Sequence, residues 1–346
     1  MGSAGQNGFH DTAISKGPGV VLGRSGASFG QAHYCEKDFW PHNTAIYVTD
    51  FNGNNPLFVF YLLKSIDFTR HNSGGAQQSL NRNFIYPIQI RVPQPHEQRI
   101  IADALSDVDA LIGALDSALA KKRALKQAAM QQLLTGQTRL PGFHGEWEVK
   151  TLGEIGSISG SGVDKKSRSD EVPVRLVNYL DVYHKDFIYS DDLNHWVTAP
   201  QHQARRCAVK KGDVFFTPTS ETRDDIGLSA VAMEDIPDAC YSYHVARLRL
   251  TEDWDLRFRT YAFKTKSFLD QAETLCDGNG TRYVISQGKF RGMIVKIPPI
   301  TEQTAIADIL SDMDAEISAL EQRRDKTRLL KQGMMQELLT GRIRLI

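Results

Sequence analysis

The sequence predicts an α+β protein: two mixed α/β blocks, the first incomplete, joined by two long antiparallel coiled-coil helices. Three observations predict it. Residues 93–140 recur as residues 298–345, at a constant offset of 205 and with 27 of 48 positions identical. Each copy has the apolar spacing of a helix packed along its length on another helix. The sequence before each copy breaks into short alternating runs between polar, Gly-rich loops, the pattern of short strands. A repeat this long, separated by unlike sequence, sets the architecture. The boundaries read 1–94 for the first block, 95–140 for the first helix, 141–300 for the second block and 301–346 for the second helix.

The first block contains the strand-like runs Gly19-Val20-Val21-Leu22 and Thr44-Ala45-Ile46-Tyr47-Val48, then a helix-like stretch over 57–63. A Gly-rich loop, 74–80, and the run Ile88-Gln89-Ile90-Arg91-Val92 follow. The second block repeats this order with runs at 213–216 and 245–250, a helix-like stretch at 257–263, a loop at 279–285 and the run Met293-Ile294-Val295-Lys296-Ile297. It adds the run 172–177. The first block lacks a counterpart of about residues 147–205, and we expect it to be N-terminally truncated.

Each repeat copy reads as one helix of about 39 residues, roughly 58 Å long at 1.5 Å per residue. Pro95 and Pro299 close the preceding runs. Glu97 and Glu302 suit the positive end of the helix dipole in the first turn. Gly136 and Gly341 follow the last apolar pair, where a left-handed residue ends a helix. The seam runs Ile101, Leu105, Val108, Ile112, Leu115, Leu119 in the first copy and Ile306, Leu310, Met313, Ile317, Leu320 in the second. It falters where Arg324 replaces Leu119, then resumes through Leu125, Met130, Leu133 and Leu330, Met334, Leu338. The expected partner of each helix is the other copy, head to tail.

Composition bounds the function. The 346 residues carry 41 basic and 41 acidic side chains. The second block alone holds 21 basic and 23 acidic, so bulk charge gives no support for nucleic-acid binding and any such binding needs local clusters. No apolar run approaches the ~20 residues that span a bilayer. The first residues lack a signal-peptide core. Cys35, Cys207, Cys240 and Cys276 have no close spacing, which argues against a zinc site or disulfide framework and for a reducing cytoplasm. The ten histidines show no metal-ligand spacing.

The order of block, Pro-x-x-x-Glu-Gln helix, Leu-Leu-Thr-Gly, second block and second such helix resembles the specificity subunits of Type I restriction–modification systems. The resemblance rests on Glu97-Gln98, Glu302-Gln303, residues 133–136 and 338–341, and the entry Trp147-Glu148-Val149-Lys150-Thr151-Leu152-Gly153-Glu154-Ile155. The stretches 19–26 and 39–45 look like the middle of a first target-recognition domain. The resemblance implies a DNA-sequence reader without chemistry of its own. Two recognition domains, the first partial, would each read half of a split target. A rod of roughly 58 Å suits two readers a turn or so apart on a duplex that advances about 34 Å per turn. Double-stranded DNA, methyltransferase subunits and translocase–nuclease restriction subunits are the implied partners, with no membrane. S-adenosylmethionine, ATP and magnesium belong on the partner subunits.

The candidate DNA contacts lie on loops. Thr281-Arg282-Tyr283 follows a Gly-rich turn; an Arg there reaches guanine edges or phosphate, and a Tyr packs on sugar or base. Thr219 and Arg223 close a strand run rich in hydroxyls. Arg24 and Ser25 occupy the matching place in the first block. Lys165 and Lys166 sit on a basic loop suited to phosphate, and the amides of Gln77 and Gln78 suit adenine. Each set is equally compatible with a solvated loop. Tyr241, Tyr243 and His244 read as core. Two other classes remain open. A methyltransferase or nuclease would need motifs that Asn54-Asn55-Pro56-Leu57 meets only faintly, with no Gly-x-Gly cofactor loop after a strand. A helical adaptor or half-specificity subunit that dimerises would keep the helices and lose the split-site reading.

Overall fold

The computed structural model describes residues 1–71, 79–278 and 280–345. The chain divides into two compact units, Met1–Ala120 with Ser318–Ile346, and Lys121–Ile317. The long helices are Pro95–Leu133 and Ile300–Leu338, each of 39 residues. Each begins two residues earlier than its glutamate. Pro95 is therefore the first helical residue rather than the end of a strand, a position where its missing N–H costs nothing. Leu134 and Leu339 still donate back to Met130 and Met335, and Gly136 and Gly341 then take a left-handed φ of 71°.

The first unit is built on an antiparallel three-stranded sheet. Gly19–Gly23 lies in the centre, between Ala32–Cys35 and Ala45–Tyr47. The central strand is buried at every residue, as a continuous apolar run demands. The helix Pro56–Ser65 follows, with Pro at its start and the Asn55 side chain accepting from the Phe58 N–H at 2.9 Å. It buries Phe58, Tyr61 and Leu62 against Ile101, Ala102 and Leu105 of the first long helix and Leu338 and Leu339 of the second.

The second unit repeats that core and extends it. Its five-stranded sheet runs Gly156–Ser159, Ala246–Leu250, Val214–Phe216, Ser229–Ala232 and Phe187–Ile188. The three middle strands match the sheet of the first unit in order and direction. A four-stranded sheet of Trp196–Ala199, Val172–Val177, Ile236–Tyr241 and Ala208–Val209 stands beside it. Among the described residues the first unit has no counterpart of Gly156–Ser159, Phe187–Ile188 or this second sheet. The helix Leu256–Ala262 repeats Pro56–Ser65: Phe258 and Tyr261 pack on Ile306, Ala307 and Leu310.

The run Ile88–Val92 forms no strand, contrary to its sequence pattern. Its counterpart Ile294–Ile297 is a strand because Glu148–Thr151 pairs with it. The first block has no such partner, and an extended run without one makes no ladder.

Within each unit the long-helix segments run antiparallel. In the first, Asp109 meets Lys331 (2.5 Å) and Asp116 meets Arg328 (3.1 Å). In the second, Lys122 meets Glu316 (2.5 Å) and Lys126 meets Asp314. The seam departs from a simple coiled coil. Ile101, Leu105, Ile306 and Leu310 are buried, but against the helix of the neighbouring block as well as the other long helix. Val108, Ile112, Met313, Ile317 and Leu320 are only half-buried. Leu125 and Leu330 are exposed. Ion pairs take over where the apolar seam weakens.

Candidate nucleic-acid interface and paired-helix apparatus

The repeat places the same polar apparatus in both units. Gln98 accepts from the Asn55 N–H at 2.8 Å and donates to the Pro93 carbonyl at 2.9 Å. Gln303 accepts from the Asp255 N–H at 3.0 Å and donates to the Pro298 carbonyl at 2.9 Å. Each glutamine thus ties the first turn of a long helix to the cap of the block's own helix. Asn54 joins this tie, its side-chain oxygen accepting from Gln98 at 2.7 Å. The faint methyltransferase motif is therefore a docking corner.

Glu97 takes a two-point ion pair from Arg344 (2.7 and 2.5 Å), and Glu302 takes one from Arg139 (2.6 and 2.6 Å). Such forked pairs are strong and geometrically specific. Arg344 and the Leu345 N–H hold the Glu97 carboxyl below its usual range, against a smaller opposing effect of burial. Trp147 donates its indole N–H to Glu302 at 3.1 Å and lies under Arg139.

A third element also recurs. Tyr61 donates to Asp109 at 2.9 Å, and Lys331 both pairs with Asp109 and lies 5.2 Å from the Tyr61 ring centre. Tyr261 donates to Asp314 at 2.8 Å, and Lys126 pairs with Asp314 and lies 5.5 Å from the Tyr261 ring. Burial first, then the neighbouring carboxylates, raises both phenols. Sequence reading missed both trios. Their signal was the identity of Asp109 with Asp314 and of Lys126 with Lys331 at the repeat offset.

The loops that carry the candidate contacts are held from both sides in the second unit. Thr219–Ser220 pairs antiparallel with Tyr283–Val284, which also pairs with Asp277–Gly278. The small ribbon is anchored where the Ile285 N–H donates to the Pro218 carbonyl at 2.9 Å. Arg282 is exposed, and its guanidinium makes no hydrogen bond or ion pair among the described residues. Thr281 is exposed beside it. Tyr283 is half-buried, and its hydroxyl accepts from the Gly280 N–H at 3.2 Å. Arg223 lies over the Tyr283 ring at 5.0 Å and reaches the Glu273 carbonyl at 3.4 Å, so its guanidinium is already engaged. Thr219 is half-buried in the ribbon.

Lys165 and Lys166 are exposed on the loop after Val163. That loop is bridged to Ser242. Lys165 and Arg282 both act on the His244 imidazole, which burial first and then these two cations push below its usual value, with Asp164 opposing. The Lys165 loop lies against the turn at 243–244, where the Tyr243 N–H donates to the Val163 carbonyl at 3.0 Å. Tyr243, read from sequence as core, is exposed at 48%, while Tyr241 is fully buried and donates to Ser159 at 2.7 Å. The strand ends at Tyr241, and Tyr243 and His244 lie beyond it in a turn, one exposed and the other half-buried.

The first unit repeats the anchor. The Leu80 N–H donates to the Arg24 carbonyl at 2.7 Å, and Ser25 bridges Ser79. Arg24 is exposed and Ser25 half-buried. Gln77 and Gln78 lie outside the described residues. No group of three or more His, Cys, Asp or Glu among the described residues is arranged to hold a metal ion.

The family model for the Type I restriction modification DNA specificity domain matches residues 3–121 and 144–329. The chain belongs to that family. Its role in a restriction–modification enzyme is DNA specificity and not the catalytic step. The chain is similar to the Type I restriction enzyme MjaVIII specificity subunit of Methanocaldococcus jannaschii. They are 24% identical over 311 residues, covering 83% of this chain and 70% of the relative. The crystal structure of the S subunit of a Type I system from M. genitalium shares the fold, with a TM-score of 0.58 and 16% identity over 96% of this chain and 86% of that one. A chain from a structure of complex assembly and conformational transition in the type I system gives 0.55 and 16%, over 95% and 83%. The specificity-domain fold thus accounts for both blocks and both long helices.

Proposed function

We propose that this specificity subunit reads a bipartite DNA target, one half with each block, while the paired helices recruit methyltransferase subunits. The observation that carries this reading is duplication with divergence. The glutamine tie, the Glu–Arg fork and the Tyr–Asp–Lys trio are built the same way twice. The loops they support differ. Shared scaffold and unlike loops are what two readers of different bases require.

Four exposed positions support the recruitment reading. Lys121, Leu125, Gln127 and Gln131 are exposed and identical to Lys326, Leu330, Gln332 and Gln336, which are exposed as well. Packing within the chain does not demand these identities, and two docking sites for the same partner would. Restriction subunits join that core, and S-adenosylmethionine, ATP and magnesium act on the partner subunits.

Arg282 tests the reading. It offers an exposed guanidinium on an anchored ribbon, suited to the two acceptors of guanine. With methyltransferase present, Arg282→Ala should weaken binding to the preferred duplex by about 1–3 kcal/mol and random DNA by less. If Arg282 meets only phosphate, both weaken alike and the salt slope falls by about one unit. Unchanged binding on both duplexes at every salt concentration removes Arg282 from the interface.

A half-specificity reading also has support, because the first unit lacks counterparts of two strands and one sheet among its described residues. In that case a selection from random duplexes yields one short contiguous motif rather than two separated ones.

A further inference from the structure

Both blocks build the same turn at the entry to the same strand, and the two turns carry different side chains. In the first block the Ala45 N–H donates to the His42 carbonyl at 3.0 Å, and the Thr44 N–H points at His42 Nδ1 at 3.4 Å. In the second, the Val245 N–H donates to the Ser242 carbonyl at 3.0 Å, and the His244 N–H donates to Ser242 Oγ at 3.2 Å. The first residue of each turn thus supplies both acceptors. The second is exposed in both, Asn43 and Tyr243, and the third is half-buried in both, Thr44 and His244. Each turn feeds a strand, Ala45–Tyr47 or Ala246–Leu250, paired with the central strand of its sheet.

The frames are rigid. The Thr44 carbonyl accepts from the Arg24 N–H at 3.0 Å and from Ser3 Oγ at 2.8 Å. Tyr241 and Val245 flank the second turn fully buried, and the Tyr243 N–H donates to the Val163 carbonyl at 3.0 Å. Both turns therefore adjoin the candidate contacts, Arg24 in one block and the Lys165 loop in the other.

Long-helix positions that do the same structural work in both copies have kept the same residue: Glu97 and Glu302, Asp109 and Asp314, Lys126 and Lys331. The turn tips have the same backbone and unlike side chains. A shared frame with divergent, outward side chains is the arrangement expected where each half reads its own bases. We propose that Asn43–Thr44 and Tyr243–His244 are specificity-determining pairs, each touching base edges in the half-site read by its own block. This rests on the bipartite reading above.

The chemistry fits base edges. An Asn amide donates and accepts in the geometry of adenine N7 and N6. Tyr243 offers a hydroxyl and an exposed ring face, set against the His244 ring with centroids 3.8 Å apart. Burial, Lys165 and Arg282 favour the neutral form of His244, with Asp164 opposing. A neutral imidazole has one donor and one acceptor, so it can select among base edges rather than simply attract phosphate.

The test is selection from a pool of fully randomised duplexes by the full chain in complex with methyltransferase, followed by sequencing of the bound fraction. Tyr243→Asn with His244→Thr, which gives the second turn the tip of the first, should change one half of the enriched motif and leave the other intact. Asn43→Ala should alter the other half only. Binding to the original half-site should drop about tenfold or more, with random-DNA affinity unchanged. Tyr243→Phe keeps the ring and removes only the hydroxyl, so it guards against a folding defect; a shift in base preference with Phe assigns the hydroxyl. A variant motif identical to wild type in both halves overturns the proposal and leaves the bipartite reading standing. Equal weakening on all DNA overturns it too, in favour of a phosphate or structural role. A wild-type complex that enriches no motif overturns both.

Discussion

Glu97 is the residue whose chemistry reports most directly on assembly of the first unit. Its side chain is 3% exposed and held by Arg344. A carboxyl whose folded pKa lies below its ordinary 4.5 binds fewer protons folded than unfolded. It therefore adds stability that is fully present above about pH 5 and is lost as pH falls through the lowered folded value. Acid unfolding should accordingly show a step below pH 4.5 that Glu97→Gln flattens. An identical acid limb in both proteins would sink this assignment. Asp109 makes a second prediction. It is the carboxylate shared by Tyr61 and Lys331, and Lys331 is only 11% exposed at its side chain while Asp109 is 40% exposed. Asp109→Ala leaves a nearly buried ammonium and phenol without their acceptor. Screening at the exposed carboxylate reduces the effect, so we expect a loss of about 1–3 kcal/mol. A double-mutant cycle with Lys331→Met, read by denaturant unfolding, measures how much of that belongs to the pair.

At the scale of elements, the long helices separate two kinds of leucine. Leu115 is 6% exposed and Leu125 is 48% exposed. Leu115→Asp places an unpaired charge in the helix interface and should destabilise by about 3 kcal/mol or more. Thermal unfolding unchanged in that variant would contradict the pairing. Leu125→Glu should stay within about 0.5 kcal/mol of wild type, as exposed substitutions do, yet weaken methyltransferase binding. Leu330→Glu should do the same at the equivalent place. Sedimentation of the mixtures should then show one methyltransferase lost with either variant and two lost with both. Retention of full stoichiometry would argue that the exposed repeat identities serve something else. The heptad reading found the helices within two residues and placed Ile101, Leu105, Leu115, Ile306 and Leu310 on a buried face, but not everything that face packs against. Periodicity reports that a helix has an apolar stripe; it does not say whether the stripe meets another long helix or the short helix of a neighbouring block. Leu125 and Leu330 continue the stripe in sequence and end up outside it.

At the scale of the whole molecule, each block is bound to its own repeat by the glutamine tie and the tyrosine–aspartate bond, the Glu–Arg fork joins the start of each repeat to the end of the other, and the family places this chain in DNA specificity. We predict that the pure chain neither methylates nor cuts DNA when supplied with S-adenosylmethionine, ATP and magnesium. Labelled methyl groups should enter DNA only after methyltransferase is added. Incorporation by the partner-free chain would overturn this. No helix among the described residues is long and apolar enough to cross a membrane.

The sequence by itself determined the repeat, the two 39-residue helices and their glycine ends. These follow from spacing and identity along the chain, which need no knowledge of what lies across it. It also marked Arg282 and Lys165 as surface residues on loops. Only the tertiary structure decided which charges meet. Tyr61, Asp109 and Lys331 are far apart in sequence, and nothing local distinguishes Asp109 from its solvated neighbour Asp107. Only the tertiary structure, likewise, placed Tyr243 and His244 outside the core, because the strand ends at Tyr241 and both lie beyond it in a turn fixed by Ser242 and Val163. Helices and caps are written in short-range hydrogen bonding, whereas a recognition rim is assembled by long-range pairing of loops whose side chains carry little periodic signal.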